Sequence, residues 1–345
     1  MKTLQVRVKD KHAAHLRKMA RDVNFVWNYL NELSSRAIRE RGLFLSAYDL
    51  EKYIRGCSPY FTISHNVAAQ VCSEYAVRRR QFKKARLSWR KSGGARRSLG
   101  WVPFRKGNLS HHESGVKFYG RVYQVWDSYG LDQYEFRNGS FSEDARGRWY
   151  LNITVVVPEQ KSTGAGSVGV DLGLKDCATD SNGGQLHTRE FRALEEKLAV
   201  AQRANKPKRV RAIHAKIKNR RKDAQHKYSR KLVNENAAIF VGNVSPSKLV
   251  KTRMAKSVHD VSWCTLKTML EYKCDHAGVV FEEVNEAYST VTCSACNSRT
   301  GPTGLEGLRI REWTCGCGVT HDRDVNAAKN ILALGHERLA VGSSI

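Results

Sequence analysis

Four cysteines fall within 25 residues near the end of the chain: Cys293 and Cys296, then Cys315 and Cys317. Two close pairs separated by 18 residues are how one Zn²⁺ gathers four thiolates in tetrahedral geometry. Four protein ligands leave no open coordination position, so the expected role is structural. The second pair encloses a single residue, Gly316, whose backbone freedom is expected to let the tight C-x-C chelate. If that pair cannot close, His321 stands nearby as a substitute ligand. Cys57, Cys72, Cys177, Cys264 and Cys274 are scattered singly, and a total of 9 excludes full disulfide pairing. These five suit buried thiols in a reducing cytosol.

A second group is acidic. Asp171 ends a strand-like run at 168–173, and Asp324 opens a helix-like run far downstream. Alone, the first is a turn acid and the second a helix N-terminal acid favoured by the dipole. The elements between them change that reading. After the strand come two hairpin-like strands at 177–180 and 185–188, then two helices over 190–235 that part near Asn205-Lys206-Pro207. An apolar strand at 237–244, a helix at about 256–274, a strand at 279–284 and a final helix from Asp324 complete the series. That is the order of a ribonuclease-H-like fold, in which both acids converge at the carboxyl ends of the central strands. Carboxylates gathered there hold two Mg²⁺ ions. One activates water and the other stabilises the leaving oxygen of a phosphodiester.

The first half of the chain is organised differently. Residues 1–8 alternate like a strand and lack a signal peptide's apolar stretch. Leu16, Met19, Val23, Val26, Leu30, Leu33 and Ala37 form one apolar stripe of a long helix. A basic helix is expected over 62–90. Short strands follow between Trp101 and Pro158, at 116–119, 121–125 and 149–157. A polar, Gly-rich stretch at 160–167 reads as a linker.

Charge narrows the function. The 345 residues carry 59 Lys+Arg against 33 Asp+Glu, a net charge of +26. A small domain needs a net charge of only roughly 2 to 8 for solubility, so the excess points to a polyanionic partner, nucleic acid. No apolar run approaches the roughly 20 residues that span a bilayer. The stretch 208–231 is densely basic with Asp223 almost alone among acids, as expected of a helix that tracks phosphates rather than one laced by its own salt bridges.

Gly169-Val170-Asp171-Leu172-Gly173, Tyr288-Ser289-Thr290-Val291-Thr292-Cys293-Ser294-Ala295-Cys296 and His321-Asp322-Arg323-Asp324-Val325-Asn326-Ala327-Ala328-Lys329-Asn330-Ile331 resemble the three hallmark segments of the TnpB family, transposon-encoded relatives of type V CRISPR effectors. The likeness spans about 166–335 and is weaker earlier, as at Val26-Trp27-Asn28. It implies an α/β multidomain fold: an N-terminal wedge β-barrel split around a helical recognition domain, then a RuvC-like nuclease domain interrupted by a zinc module. The matching boundaries are 1–12 and 101–160 for the barrel, 13–100 for the helical domain, 161–292 and 322–345 for the nuclease, and 293–321 for the zinc module. The resemblance further implies a guide RNA from the element's own end and a double-stranded DNA target beside a short transposon-adjacent motif, in a prokaryotic cytoplasm. Arginine-rich stretches at 78–90 and 208–231 would line the heteroduplex channel, with Trp101, Tyr119, Tyr123 and Trp126 either stacking on RNA bases or filling the barrel core.

One departure matters. The family's second catalytic acid is a Glu at the end of the fourth core strand, where this chain has Gly242-Asn243. The neighbouring strand offers Glu283 and Glu286. Glu286 sits nearer its carboxyl end and is the choice to join Asp171 and Asp324 at the Mg²⁺ ions, with Glu283 second. The competing readings are a nuclease-inactive, RNA-guided repressor and a guide-free zinc-containing DNA-binding protein or transposase.

Overall fold

The computed structural model of the chain describes residues 1–158, 161–173, 176–187, 192–243, 262–307 and 309–342. It divides into two units, Met1–Pro158 and Glu159–Ile345. Expected positions at 160, 188, 244 and 256–261 lie outside the described residues. Among the described residues no helix is long and apolar enough to cross a membrane.

In the first unit, β1 (Lys2–Val8) buries Leu4, Val6 and Val8 in alternation, the two-residue period of a strand with one face inward. Three helices intervene: α1 (Ala13–Arg41), α2 (Ala47–Lys52) and α3 (His65–Phe82). The sheet then resumes with β2 (Trp101–Phe104), β3 (Leu109–His112), β4 (Gly115–Phe118), β5 (Arg121–Trp126), β6 (Phe136–Glu143) and β7 (Trp149–Val155). Its order is β2-β6-β7-β1-β5-β4-β3, and neighbours run antiparallel. The expected barrel is therefore a curled half-barrel, whose end strands β2 and β3 do not pair with each other. The apolar stripe of α1 shares one core with the strands, where Phe104, Phe118, Tyr123 and Phe141 cluster. Tyr123 is thus core, not a stacking platform, whereas Tyr119 and Trp126 are exposed and Trp101 is half-buried against the core.

The helix expected over 62–90 stops at Phe82, where Lys83 adopts a left-handed φ of 50°. The sequence pattern failed here because the next residues find other partners for their backbone: side chains of α1 take that role. Arg79, in the middle of the arginine triplet, is also not a surface charge. It is buried and donates to Ser34 and to the Leu45 carbonyl.

The second unit holds a five-stranded sheet made of β8 (Gly166–Asp171), β9 (Asp176–Asp180), β10 (Gln185–His187), β11 (Asn236–Gly242) and β12 (Val280–Val284). The order is β10-β9-β8-β11-β12. The first three strands form an antiparallel meander, and β11 lies parallel to both β8 and β12. This is the ribonuclease-H-like, RuvC-like arrangement. The helices are α4 (Arg192–Arg203), α5 (Pro207–Glu235), α6 (Trp263–Ala277), the one-turn α7 (Gly304–Gly307) and α8 (Arg323–Gly342), with the hairpin β13 (Glu312–Thr314) and β14 (Thr320–Asp322) just before the last.

Both faces of this sheet are covered, and the pleat sorts its residues between them. Val168, Val170, Ile239 and Val241 pack with Tyr228, Leu232 and Val233 of α5 and Leu266 and Leu270 of α6. Ala238, Phe240 and Val284 pack with Ile331 of α8 on the other side. Helix α8 comes close because two positions have no side chain. A Cβ on Gly169 would overlap the Ala328 carbonyl, and one on Gly335 would overlap the Phe240 ring.

Candidate functional site

The pleat decides what faces α8. Asp171 follows Val170 and so alternates onto the α8 side of β8. Gly242 follows Val241 and does the same on β11. Val284 lies on that side of β12, and Glu286, two residues later, keeps its parity. Asp324 opens α8 itself. These placements bring three carboxylates to the carboxyl end of the parallel strands. Asp171 is 8% exposed. Burial, and after it the charges of Asp324 and Glu286, push its carboxyl up to about 7.

Glu286 occupies the space over Gly242. A Cβ built on Gly242 would overlap the Glu286 carboxylate and lie 3.2 Å from its Cβ. The Asn243 amide donates to the Val284 carbonyl (2.9 Å), so the two strand ends stay in register as far as this carboxylate. Among the described residues Oε2 of Glu286 is buried with no hydrogen-bond partner, and burial pushes its pKa up. Glu283 has the opposite parity. It lies toward α6, where it accepts from Lys267 at 2.6 Å, and it is half-exposed. A buried, unpartnered carboxylate oxygen beside a second buried carboxyl is an arrangement that a cation relieves. The acidic donors fit hard divalent metals such as Mg²⁺.

Four neighbours escaped the sequence reading. Arg311 donates to both oxygens of Asp324 at 3.2 and 3.1 Å and opposes the upward push of burial on that acid. Asp176, buried and paired with His187 at 2.7 Å, adds to the negative field on Asp324. Asn326 and Asn330 sit one turn apart on α8. Asn330 donates to the carbonyls of Ser289 and Thr292, each at 2.7 Å, and Asn326 accepts from the Ser294 amide at 2.9 Å and donates to Thr292 at 2.7 Å. They clamp the segment after Glu286 to the helix that carries Asp324. The i, i+4 spacing of two asparagines in a helix is the signal that could have found them, since polar amides in a buried helix face need partners.

The cysteines converge as a second site. Cys293, Cys296, Cys315 and Cys317 place their sulfurs within 4.8 Å of one another. A tetrahedron with Zn–S bonds of about 2.3 Å has S···S edges of about 3.8 Å. Cys293–Cys317 and Cys296–Cys315 stand at 3.8 and 3.6 Å. The Cys315 thiol is pushed down to about 5, by the Cys317 backbone first and then by the hydroxyls of Ser298 and Thr300. The tight pair closes, so His321 is not needed in the cluster. Its Nε2 instead lies 3.0 Å from the Cys293 sulfur, while its ring packs at a tilt of 41° against Trp313. The left-handed residue of the turn is Gly318 (φ 88°) and not Gly316, whose φ is not positive. These four cysteines can hold one metal ion.

Two family models match this chain: "Probable transposase" over residues 150–253 and "Cas12f1-like, TNB domain" over 263–331. A Streptomyces pristinaespiralis protein described as "Putative RNA-guided DNA endonuclease" is 36% identical over 59% of this chain and 54% of its own length. The Escherichia coli K12 protein "Putative RNA-guided DNA endonuclease InsQ" is 27% identical over 58% of this chain and 57% of its length. "CRISPR-associated endodeoxyribonuclease Cas12f1" of Sulfoacidibacillus thermotolerans is 26% identical over 55% and 51%. The chain thus aligns with just over half the length of these curated relatives. Among solved structures, that of a Cas12f1–sgRNA–target DNA complex matches with a TM-score of 0.60 at 13% identity, covering 94% of this chain and 83% of that one, a likeness of fold. The family models and the relatives agree: over residues 150–331 the chain is similar to transposase–endonucleases of the TnpB/Cas12f kind.

Proposed function

We propose that this chain is an RNA-guided DNA endonuclease that cuts double-stranded DNA beside a short transposon-adjacent motif, using a guide RNA from its own element. The observation that carries the reading is the Glu286 carboxylate seated over Gly242, on the α8 side of the sheet with Asp171. The acid absent from the fourth strand is replaced from the fifth, and the glycine makes room for it. The descriptions of the aligned relatives support the same activity.

In this reading Asp171, Glu286 and Asp324 hold two Mg²⁺, which when bound supply an activated water and charge stabilisation for the leaving oxygen. The chain's own contribution is placement. Strand β8 fixes Asp171, the Asn326/Asn330 clamp fixes the segment after Glu286, and Gly169 and Gly335 let α8 press Asp324 onto the sheet. Arg311 holds the Asp324 carboxylate and must yield it, or share it, when a metal binds. The four cysteines hold one structural Zn²⁺. The division into barrel, helical recognition domain, split nuclease and zinc module at the boundaries given above is part of this proposal.

The test is a plasmid library carrying a guide-matched target beside randomised bases, incubated with Mg²⁺ and the protein purified with its flanking RNA. Selective loss of particular flanks by double-strand cuts is expected. The Gly242→Ala chain should bind the same targets and cut them at least about 10-fold more slowly, since the added methyl displaces Glu286. Flank-selective binding by the parent chain without cuts would make it a guided repressor and overturn the nuclease.

A further inference from the structure

We infer that the first unit carries a built site for a short run of unpaired nucleotides, a cavity between α1 and the segment that follows α3. Its volume is about 710 Å³. That lies within the ~300–1,000 Å³ of small-ligand sites, enough for a nucleotide or two and too little for a duplex. Trp27, Arg78, Phe82, Lys84, Arg86 and Trp89 are among its lining residues, and no lining residue is acidic. Between Glu74 and Glu113 the sequence has twelve Lys and Arg residues and no Asp or Glu.

The wall is an extended strap over residues 87–92, and α1 holds it by side chains alone. Asn31 accepts from the Leu87 amide (2.9 Å) and donates to the Leu87 carbonyl (2.7 Å). Asn28 does the same for Arg90, accepting at 2.8 Å and donating at 2.8 Å. Asn24 accepts from the Arg90 side chain (2.6 Å) and donates to Ser92 (3.1 Å), and the Trp27 indole donates to the Ser88 carbonyl (3.3 Å). Positions 24, 28 and 31 share one helix face, so three asparagines replace a partner strand. At the far end Arg97 makes a two-point pair with the buried Glu143 carboxylate, at 2.6 and 2.9 Å.

The backbone groups of Leu87, Ser88 and Arg90 are spent on α1, and the Trp89 side chain is left to the cavity. Trp89 is 46% exposed and Phe82 56%. Arg86 lies over the Trp89 ring at 5.3 Å, and its one ion pair, to Glu32, is itself half-exposed. Among the described residues Arg78 bonds the neutral Gln81 and no acid. Flat, exposed aromatic faces among cations, of which Arg86 has a half-exposed acid partner and Arg78 a neutral one, match a base with its flanking phosphates. Stacking of that kind is sequence-tolerant and suits a single strand, RNA or DNA. Because the strap is already ordered, binding loses little conformational entropy. The site is independent of the metal-binding acids and stands whether or not the chain cuts DNA.

The experiment uses the full chain with an octauridylate and an octathymidylate, each carrying one 5-iodo-substituted base. Photocrosslinks are mapped by mass spectrometry, and affinities are read by anisotropy. Crosslinks at Trp89 or Phe82 are expected. Trp89→Ala should weaken binding roughly 5- to 150-fold, the loss of one stacked base, while Trp89→Phe restores most of it. The two arms tell whether the ribose or deoxyribose strand is preferred. Crosslinks found only elsewhere would overturn the inference, as would a Trp89→Ala chain that binds as tightly as the parent. So would equal competition by a duplex of the same length or by an oligoglutamate, which would assign the cavity to duplex or to an acidic peptide.

Discussion

At the scale of single residues, the chemistry turns on which glutamate faces the sheet side that carries Asp171. Glu283 and Glu286 stand three apart, and three residues along an extended chain reverse the face. Glu283 meets Lys267 in partial solvent, whereas Glu286 meets Gly242 and keeps a buried oxygen without a partner. Glu286→Gln is therefore expected to slow Mg²⁺-dependent cleavage roughly 100- to 1,000-fold, and Glu283→Gln to leave it within about 3-fold. Cleavage assays on guide-loaded protein with unchanged target affinity check this. Asp171 makes a second prediction. Its pKa in the fold is about 7, above the ordinary 3.8. Between those values the folded chain holds a proton that the unfolded chain has released, so metal-free stability falls as pH rises from about 4 to 7. Asp171→Asn removes that penalty. At pH 8 without metal it should raise stability by on the order of 2–4 kcal/mol in urea melts, with little gain at pH 4. The same substitution should abolish cutting.

At the scale of elements, α8 and the cysteine hairpin are tied together. The helix carries Asp324, buries Ala327, Ala328 and Ile331 against the sheet, and grips residues 289–294 through Asn326 and Asn330. The hairpin contributes Arg311 to Asp324. Among the described residues its own buried apolar cluster is Cys293, Trp313 and Cys315, and a core that small ordinarily needs a metal to fold. Purified protein is thus expected to hold about one Zn²⁺ per chain. Removing it with a chelator, or lowering its affinity with Cys317→Ser, should speed amide exchange over 291–322 and leave exchange in α1 and α3 unchanged. Loss of the metal with protection intact in the hairpin would count against a structural role.

At the scale of the whole molecule, the +26 charge is distributed by structure and not only by composition. Arg79 and Arg97 are consumed by internal partners. Helix α5 buries only residues from Gln225 onward, so its basic N-terminal two-thirds stays exposed, with one i,i+4 ion pair between Lys227 and Asp223 at 2.8 Å. Replacing Lys216, Lys218, Arg220 and Lys222 with Gln should lower the slope of log affinity against log salt by up to ~4 for nucleic acid, about 0.9 per lost phosphate contact on a duplex. A slope unchanged within error would remove α5 from the binding surface.

Much of this was legible in the sequence, because periodicity and ligand chemistry are local properties. The two-residue alternation of β1, the apolar stripe of α1, the order of elements from Asp171 to Asp324 and the four clustered thiols all follow from residue type and spacing. What extends over a sheet or between helices was not. The end of α3 at Phe82 depended on Asn24, Asn28 and Asn31, some fifty to sixty residues away, giving the next segment its hydrogen bonds. The turn of the second cysteine pair uses Gly318 where the spacing pointed to Gly316. Above all, the choice between Glu283 and Glu286 needed the register of β12 against β11, because a side chain's face depends on strand pairing that no local pattern encodes. The sequence by itself determined which elements form and which residues can bind a metal. Only the tertiary structure decided which carboxylate stands over Gly242, because that is a matter of which backbone leaves the space.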